Sequence, residues 1–207
     1  MNQEELLRQG LTSLKIESTD VQIKQWIDYL GLLRRWNKVY NLTSVDEAEA
    51  MLTTHCLDSL SVATFITGKR IADIGSGGGL PGIPLAILFP EKKFTLIDAV
   101  AKKTRFQRQV TTELKLDNVE ATHARAEQFN PDRPFDQIIS RAFSSLKDFV
   151  SLTQPLLAPE GKWLAMKGRI PKQELAALDK NFAYTVYPLT VPGLDAERHL
   201  IQITQKT

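Results

Sequence analysis

One cysteine, Cys56, serves the whole chain of 207 residues. No internal disulfide and no multi-cysteine zinc site can be built from it, and the scarcity fits a reducing cytoplasm. Its ordinary role is that of a small buried hydrophobe. Long apolar runs are missing as well. The longest, such as Leu85 to Phe89, fall far short of the roughly 20 residues that span a bilayer, so no membrane association is expected. The opening Met1-Asn2-Gln3-Glu4-Glu5 is acidic where a secretory leader is basic and then apolar. Repeats, low-complexity tracts and Ser/Gly linkers are absent too. Net charge is only +2, so bulk electrostatics announces no polyanionic partner. With 43% hydrophobic and 24% charged residues, what remains is an ordinary soluble globular composition. The length suits one α/β domain with an extension, and is too short for two catalytic domains.

The charge is unevenly placed. Lys102, Lys103, Arg105 and Arg108 fall within ten residues that contain no acid. A solvated helix face explains such a run as often as a phosphate-contacting one.

Residues 1–67 read as a helical extension packed on a core formed by residues 68–207. Ser18-Thr19-Asp20 starts a helix, and Gln22 stands where a capping box needs it. Ile23, Trp26, Ile27, Leu30, Leu33 and Trp36 recur at helical spacing, with Arg34, Arg35 and Lys38 off that stripe. The tryptophans are expected to pack in the core. After Asn41-Leu42-Thr43-Ser44 a second helix is expected from about Asp46 to Phe65, with Glu47 and Glu49 in its first turn. His55, Asp58 and Ser59 lie along it. No second histidine stands at ligand spacing, which favours a packed or capping role for His55 and no metal site.

From Lys69 onward short β-rich runs alternate with helical stretches. Arg70–Ile74, Lys93–Ile97, Val119–Thr122, Phe135–Ile139 and Lys162–Met166 read as strands. Helical segments beginning at Leu80, Ala101 and Ala126 lie between the first four, and Ser144–Leu157 joins the fourth to the fifth. This rhythm predicts a doubly wound, largely parallel sheet of the Rossmann-like α/β class. Two late strands, about Phe182–Leu189 and His199–Thr204, would complete the seven-stranded core of a class I methyltransferase.

Asp73-Ile74-Gly75-Ser76-Gly77-Gly78-Gly79-Leu80-Pro81-Gly82 follows the first strand and opens a helix, the context in which a glycine loop binds a ligand. Gly77-x-Gly79-x-x-Gly82 also satisfies the dinucleotide fingerprint. Asp73 favours the sulfonium donor S-adenosylmethionine, because a carboxylate there can face the donor's ammonium, directly or through water, but repels a pyrophosphate. A dinucleotide and a purely structural turn remain open alternatives. Asp98, ending the second strand, can accept both ribose hydroxyls of either nucleoside ligand. Ala126-Glu127 is placed to border the adenine, and Arg141 to lie at the mouth of the cleft.

Trp36-Asn37-Lys38, Tyr40-Asn41-Leu42-Thr43, His55-x-x-Asp58-Ser59 and the glycine loop resemble, in order and spacing, those of one family. So do Ser140-Arg141-Ala142, Met166-Lys167-Gly168 and Glu197-Arg198-His199. That family is the bacterial 16S rRNA guanine-N7 methyltransferase family G, also called glucose-inhibited division protein B. The resemblance spans nearly the whole chain. It implies donor contacts at Gly75, Leu80, Ala126, Glu127 and Arg141, beside those expected at Asp73, Gly77 and Asp98. It also suggests that Lys102, Arg125, Lys167 and Arg198 line the RNA side of the cleft. Its implied substrate is a guanine of 16S rRNA, position 527 in conventional rRNA numbering, in naked RNA or in the small ribosomal subunit, and the enzyme is expected to act as a cytoplasmic monomer. Relatives often carry proline where this chain has Gly78, a departure that removes no donor or charge.

Guanine N7 has an in-plane lone pair and no proton, so its methylation needs no general base. None is expected in this chain. Two rival readings are a small-molecule methyltransferase, for which a closed aromatic pocket is expected, and a non-catalytic donor-binding regulator.

Overall fold

The computed structural model describes residues 2–141 and 143–206; Met1, Ala142 and Thr207, and with Ala142 one member of the Ser140-Arg141-Ala142 motif, lie outside them. The chain folds as α1 (Gln3–Ser13), α2 (Asp20–Tyr40), α3 (Ala48–Met51), a π-helical turn (Leu52–Leu57) and α4 (Asp58–Leu60). The α/β part follows with β1 (Arg70–Ile74), α5 (Gly82–Leu88), β2 (Lys93–Asp98), α6 (Ala101–Glu113), β3 (Val119–His123) and β4 (Phe135–Ser140). It closes with α7 (Leu146–Thr153), β5 (Leu157–Lys167), α8 (Lys172–Ala176), β6 (Phe182–Pro188) and β7 (His199–Gln205).

The seven strands form one sheet in the order β3-β2-β1-β4-β5-β7-β6, parallel except for β7, which runs antiparallel between β5 and β6. This is the Rossmann-like α/β arrangement expected from the strand rhythm. Because the order reverses beside β1, the carboxyl ends of β1, β2 and β4 open onto one crevice. Apolar layers cover both faces. Leu33, Ile83, Phe94 and Phe106 lie on the side of α2, α5 and α6, and Ala72, Ile138, Phe149 and Trp163 on the other.

Helix α2 is bound to the sheet layer by more than its apolar stripe. Thr19 and Gln22 form the expected capping box, and the Gln22 amide also donates to the carbonyls of Ile87 and Leu88 at the end of α5. Gln25 does the same for Leu114, just past α6. These are carbonyls that a helix end leaves without intrahelical partners. Trp26, fully buried as expected, donates its indole N–H to the Pro84 carbonyl at 3.1 Å, and the Tyr29 hydroxyl donates to the Gly78 carbonyl at 2.7 Å. Helix α2 therefore holds the glycine loop from behind.

Three segments depart from the sequence reading. The helix expected from Asp46 to Phe65 is continuous only from Ala48 to Leu60, widening to the π turn between α3 and α4, and Ala63–Phe65 is a separate 3-10 turn. Thr53 and Thr54 turn their hydroxyls back onto the carbonyls of Glu49 and Ala50, which loosens the i−4 ladder where the turn widens. Glu47 is accordingly an N-cap residue, without a side-chain cap bond. The segment from Ala126 is one 3-10 turn, Ala126–Gln128, because Pro131 and Pro134 follow too closely for a helix to continue. Strand β5 begins five residues earlier than expected, at Leu157 rather than Lys162, and the register of its pairing shifts between Phe135 and Gln137.

Tyr29→Phe should lower stability by about 1–3 kcal/mol, because it leaves the buried Gly78 carbonyl unpaired. Urea unfolding, with the slope unchanged, measures it; an unshifted midpoint would show that α2 does not support the loop through this bond.

Candidate active site

Strand β1 delivers its last residues to a loop that only glycine can trace. Gly75, Gly77 and Gly79 have φ values of 68°, 56° and 84°, in the left-handed region. Two carboxylates pin it. Asp98 Oδ2 accepts the Gly77 N–H at 2.8 Å, while Asp98 Oδ1 accepts that of Val100 at 2.9 Å. Asp73 Oδ2 accepts the Gly82 N–H at 2.8 Å, at the start of α5. A Cβ on Gly82 would collide with Leu96 and with that same carboxylate oxygen, so glycine is required by close approach there. A Cβ on Gly75 would meet nothing within 4 Å among the described residues, and the residue is exposed, so the loop turns an open face outward there.

Gly75 and Asp98 line a cavity of about 180 Å³ together with Arg125, Ala126, Glu127 and Phe143. A carboxylate offers about four acceptor positions. Asp98 uses one on each oxygen for the backbone and keeps capacity for two hydroxyls. A larger cleft, about 370 Å³, is lined by Thr54, His55, Asp58, Arg141, Lys167 and Arg198 among others. Among the described residues no phenylalanine, tyrosine or tryptophan lines it, in contrast to the aromatic pocket expected of a small-molecule enzyme. One bond links the two linings: Phe143 borders the smaller space, and its carbonyl accepts from Lys167 Nζ of the larger at 3.2 Å.

The residues singled out by sequence thus fall into three groups. Gly75, Asp98, Arg125, Ala126 and Glu127 meet at the smaller cavity, and Arg141, Lys167 and Arg198 at the larger. Asp73, Gly77, Leu80 and Lys102 line neither. Asp73 lies beneath the loop with 0% exposure, its Oδ1 without a hydrogen-bond partner among the described residues. Leu80 is buried in the core. Lys102 donates to the Tyr40 carbonyl at the end of α2, where the helix dipole favours a cation. Lys167 pairs with Glu174 at 2.9 Å, whereas the Arg125 side chain is 67% exposed.

Sequence reasoning gave no role to the support of the larger cleft. Asn37 accepts the Thr43 N–H at 2.8 Å, and the Thr43 hydroxyl bonds His55 Nε2 at 2.8 Å. His55 is packed, as expected, with Nδ1 3.5 Å from Arg141 Nη2. The spacing His55-x-x-Asp58 was the available signal, but its partners lie far away in sequence. Burial, with the Arg141 guanidinium alongside, lowers the His55 ring to about 4. Burial drives the Asp73 carboxyl up to about 7, against the opposing pull of the Gly82 N–H and Arg141.

The sheet order and loop define the class. The chain superposes on the glycopeptide N-methyltransferase MtfA, solved in complex with S-adenosyl-L-methionine, with a TM-score of 0.62 at 11% identity, covering 74% of this chain and 88% of that one. The fold is that of class I methyltransferases. Within that class, the family model for rRNA small subunit methyltransferase G matches residues 22–201. The ribosomal RNA small subunit methyltransferase G of Pseudomonas syringae pv. tomato is 53% identical over 196 residues, 94% of this chain and 93% of the relative. That of Marinobacter nauticus is 49% identical over 200 residues, 96% and 94% of the two chains. The chain belongs to the rRNA small subunit methyltransferase G family.

Asp73 and His55 bias unfolding in opposite senses. A carboxyl near 7 when folded and about 3.9 unfolded keeps its proton only in the folded chain between those values, so its stabilisation is lost as pH rises through about 7. A ring near 4 when folded and about 6.5 unfolded protonates on unfolding, so its contribution is present above about 6.5 and lost as pH falls toward about 4. Asp73→Asn should remove the first slope and His55→Gln the second. Unchanged pH profiles of urea stability in both variants would contradict these environments.

Proposed function

We propose that the protein methylates N7 of a guanine in 16S rRNA, with S-adenosylmethionine as methyl donor, at position 527 in conventional rRNA numbering. The observation that carries this reading is a pair of cavities linked by the Lys167–Phe143 bond: an open glycine turn beside an acceptor carboxylate, and a cleft with three cationic side chains.

The residues of the smaller cavity fit a nucleoside. Asp98 has acceptor capacity for both ribose hydroxyls, Gly75 leaves the backbone accessible, and Ala126-Glu127 bounds the space at the end of β3. The donor, when bound, supplies an electrophilic methyl on sulfonium. Gly77 and Leu80 belong to the loop that shapes its site. Asp73 acts from below, holding Gly82 so that the loop keeps its form. Arg141, in the larger cleft just past the end of β4, borders the guanine on the side toward the donor.

Guanine N7 attacks through its lone pair, and no proton leaves. The chain therefore needs alignment rather than a base, and bringing the reacting atoms to a near-attack geometry supplies the rate. His55 suits this chemistry as a neutral, buried support: its ring stays uncharged around neutral pH and adds no cation beside the base. Duplex RNA hides its bases in a deep, narrow groove, so the guanine is presented in a loop or extruded from its stack. Arg125, Lys167 and Arg198 hold phosphate around it. Lys102 contributes from the first turn of α6, beside the end of α2. The enzyme acts as a monomer in the cytoplasm on rRNA or the small subunit; no helix among the described residues is long and apolar enough to cross a membrane.

Mass-spectrometric mapping of 16S rRNA from cells with and without this protein tests the proposal. A 7-methylguanine that vanishes with the protein and returns with its expression is expected; an unaltered methylation map would overturn the reading. For the RNA side, Arg125→Ala with Lys167→Ala should weaken RNA binding and reduce the magnitude of the log–log salt slope by about 1–2. RNA affinity equal to that of the unaltered chain would remove both residues from the interface.

A further inference from the structure

Asp58 is 2% exposed, yet two guanidiniums share it. Its Oδ1 accepts from Arg198 Nε at 3.0 Å, and its Oδ2 from Arg141 Nη1 at 3.4 Å. The partners stand 83 and 140 residues away, after β4 and just before β7, so only the completed fold brings the three together. A buried ion pair is weak grounds for stability, because desolvation offsets most of its Coulomb gain. Here burial pulls the Asp58 carboxyl up in pKa while both arginines pull it down. An arrangement so expensive to form calls for another use.

The geometry supplies one. Arg141 Nη1 also donates to the Thr54 carbonyl at 2.8 Å, and Arg198 Nη1 to the Glu197 carbonyl at 2.9 Å. Each guanidinium is held on one side, and Arg198 Nη2 has no partner among the described residues. Both arginines line the larger cleft. Lys167, the third cation, is paired with Glu174. Three cations facing two carboxylates leave one positive charge, the complement of a single phosphodiester.

We propose that Asp58 is a positioning residue for methyl transfer, fixing Arg141 and Arg198 as a pair and offsetting their charge where the base accepts the methyl. This rests on the function proposed above. In that reaction the N7–carbon bond forms as the sulfur–carbon bond breaks, the sulfur keeps the bonding pair, and the positive charge passes from sulfur to guanine. The base thus becomes cationic beside two guanidiniums. Unbalanced, they oppose the developing charge at short range, where water screens poorly. Asp58 touches neither base nor donor in this account; it acts through the arginines.

Removing the carboxylate therefore separates binding from turnover. Asp58→Asn in the full chain, assayed on 16S rRNA, should lower kcat on the order of 10²-fold. KM for RNA should not rise, since the cleft becomes more cationic, and adenosylhomocysteine affinity by calorimetry should stay within about twofold, which also reports an intact fold. Asp58→Glu keeps the charge but shifts it by one methylene; it should lower kcat less than Asn does, again with KM unchanged. If the Asn chain fails to bind adenosylhomocysteine, the Glu chain decides alone. In either variant that binds it, an unaltered kcat, or a loss lying wholly in KM, overturns the inference. An unaltered chain that binds adenosylhomocysteine but methylates no 16S rRNA fails the proposed function instead, and takes this inference with it.

Discussion

Two buried carboxylates gripping backbone N–H groups of one glycine loop are the constraint from which the site follows. Asp98 holds Gly77 and Asp73 holds Gly82, so both ends of the loop are fixed while Gly75, between them and β1, stays open. Glycine's conformational freedom costs entropy on folding, and these hydrogen bonds, each to a charged or chargeable acceptor, stand against that cost. The two acids divide the work. Asp98 borders the cavity and keeps acceptor capacity for a ligand. Asp73 is sealed beneath, where burial raises its pKa, with Oδ2 on Gly82 and Oδ1 without a partner among the described residues.

The N-terminal helices extend the same logic. Helix α2 supplies donors to carbonyls at the ends of α5 and α6 and to Gly78 of the loop. Past its end, the Asn37–Thr43–His55 chain of hydrogen bonds carries its position into the wall of the larger cleft. The widened π turn then places the Thr54 carbonyl where Arg141 can reach it. One helix thus backs the glycine loop and, through the segment that follows it, orients the arginine cleft.

Most of the α/β core was legible in the residues. Strand runs such as Arg70–Ile74 are set by local apolar patterning and flanking breakers, and the capping box at Thr19 and Gln22 is a local chemical signal. The π widening of the helix after Asp46 was not legible, because Thr53 and Thr54 fit a helical pattern until their hydroxyls compete for the backbone. The site divides the same way. Gly75, Asp98 and Arg141 were found by their places at strand ends. The clamp on Asp58 was hidden because its meaning lies in residues distant along the chain. The depth of Asp73 was hidden too: its position before the glycines was plain, but whether it faced a ligand or the loop is decided by packing.

The central claim is that the pinned loop is a methyl-donor site. Calorimetric titration with adenosylhomocysteine, repeated on Asp98→Ala, tests it most directly. Single-site binding that the substitution abolishes is the predicted result. No heat with adenosylhomocysteine, while a nicotinamide dinucleotide titrates cleanly into the unaltered chain, would contradict it.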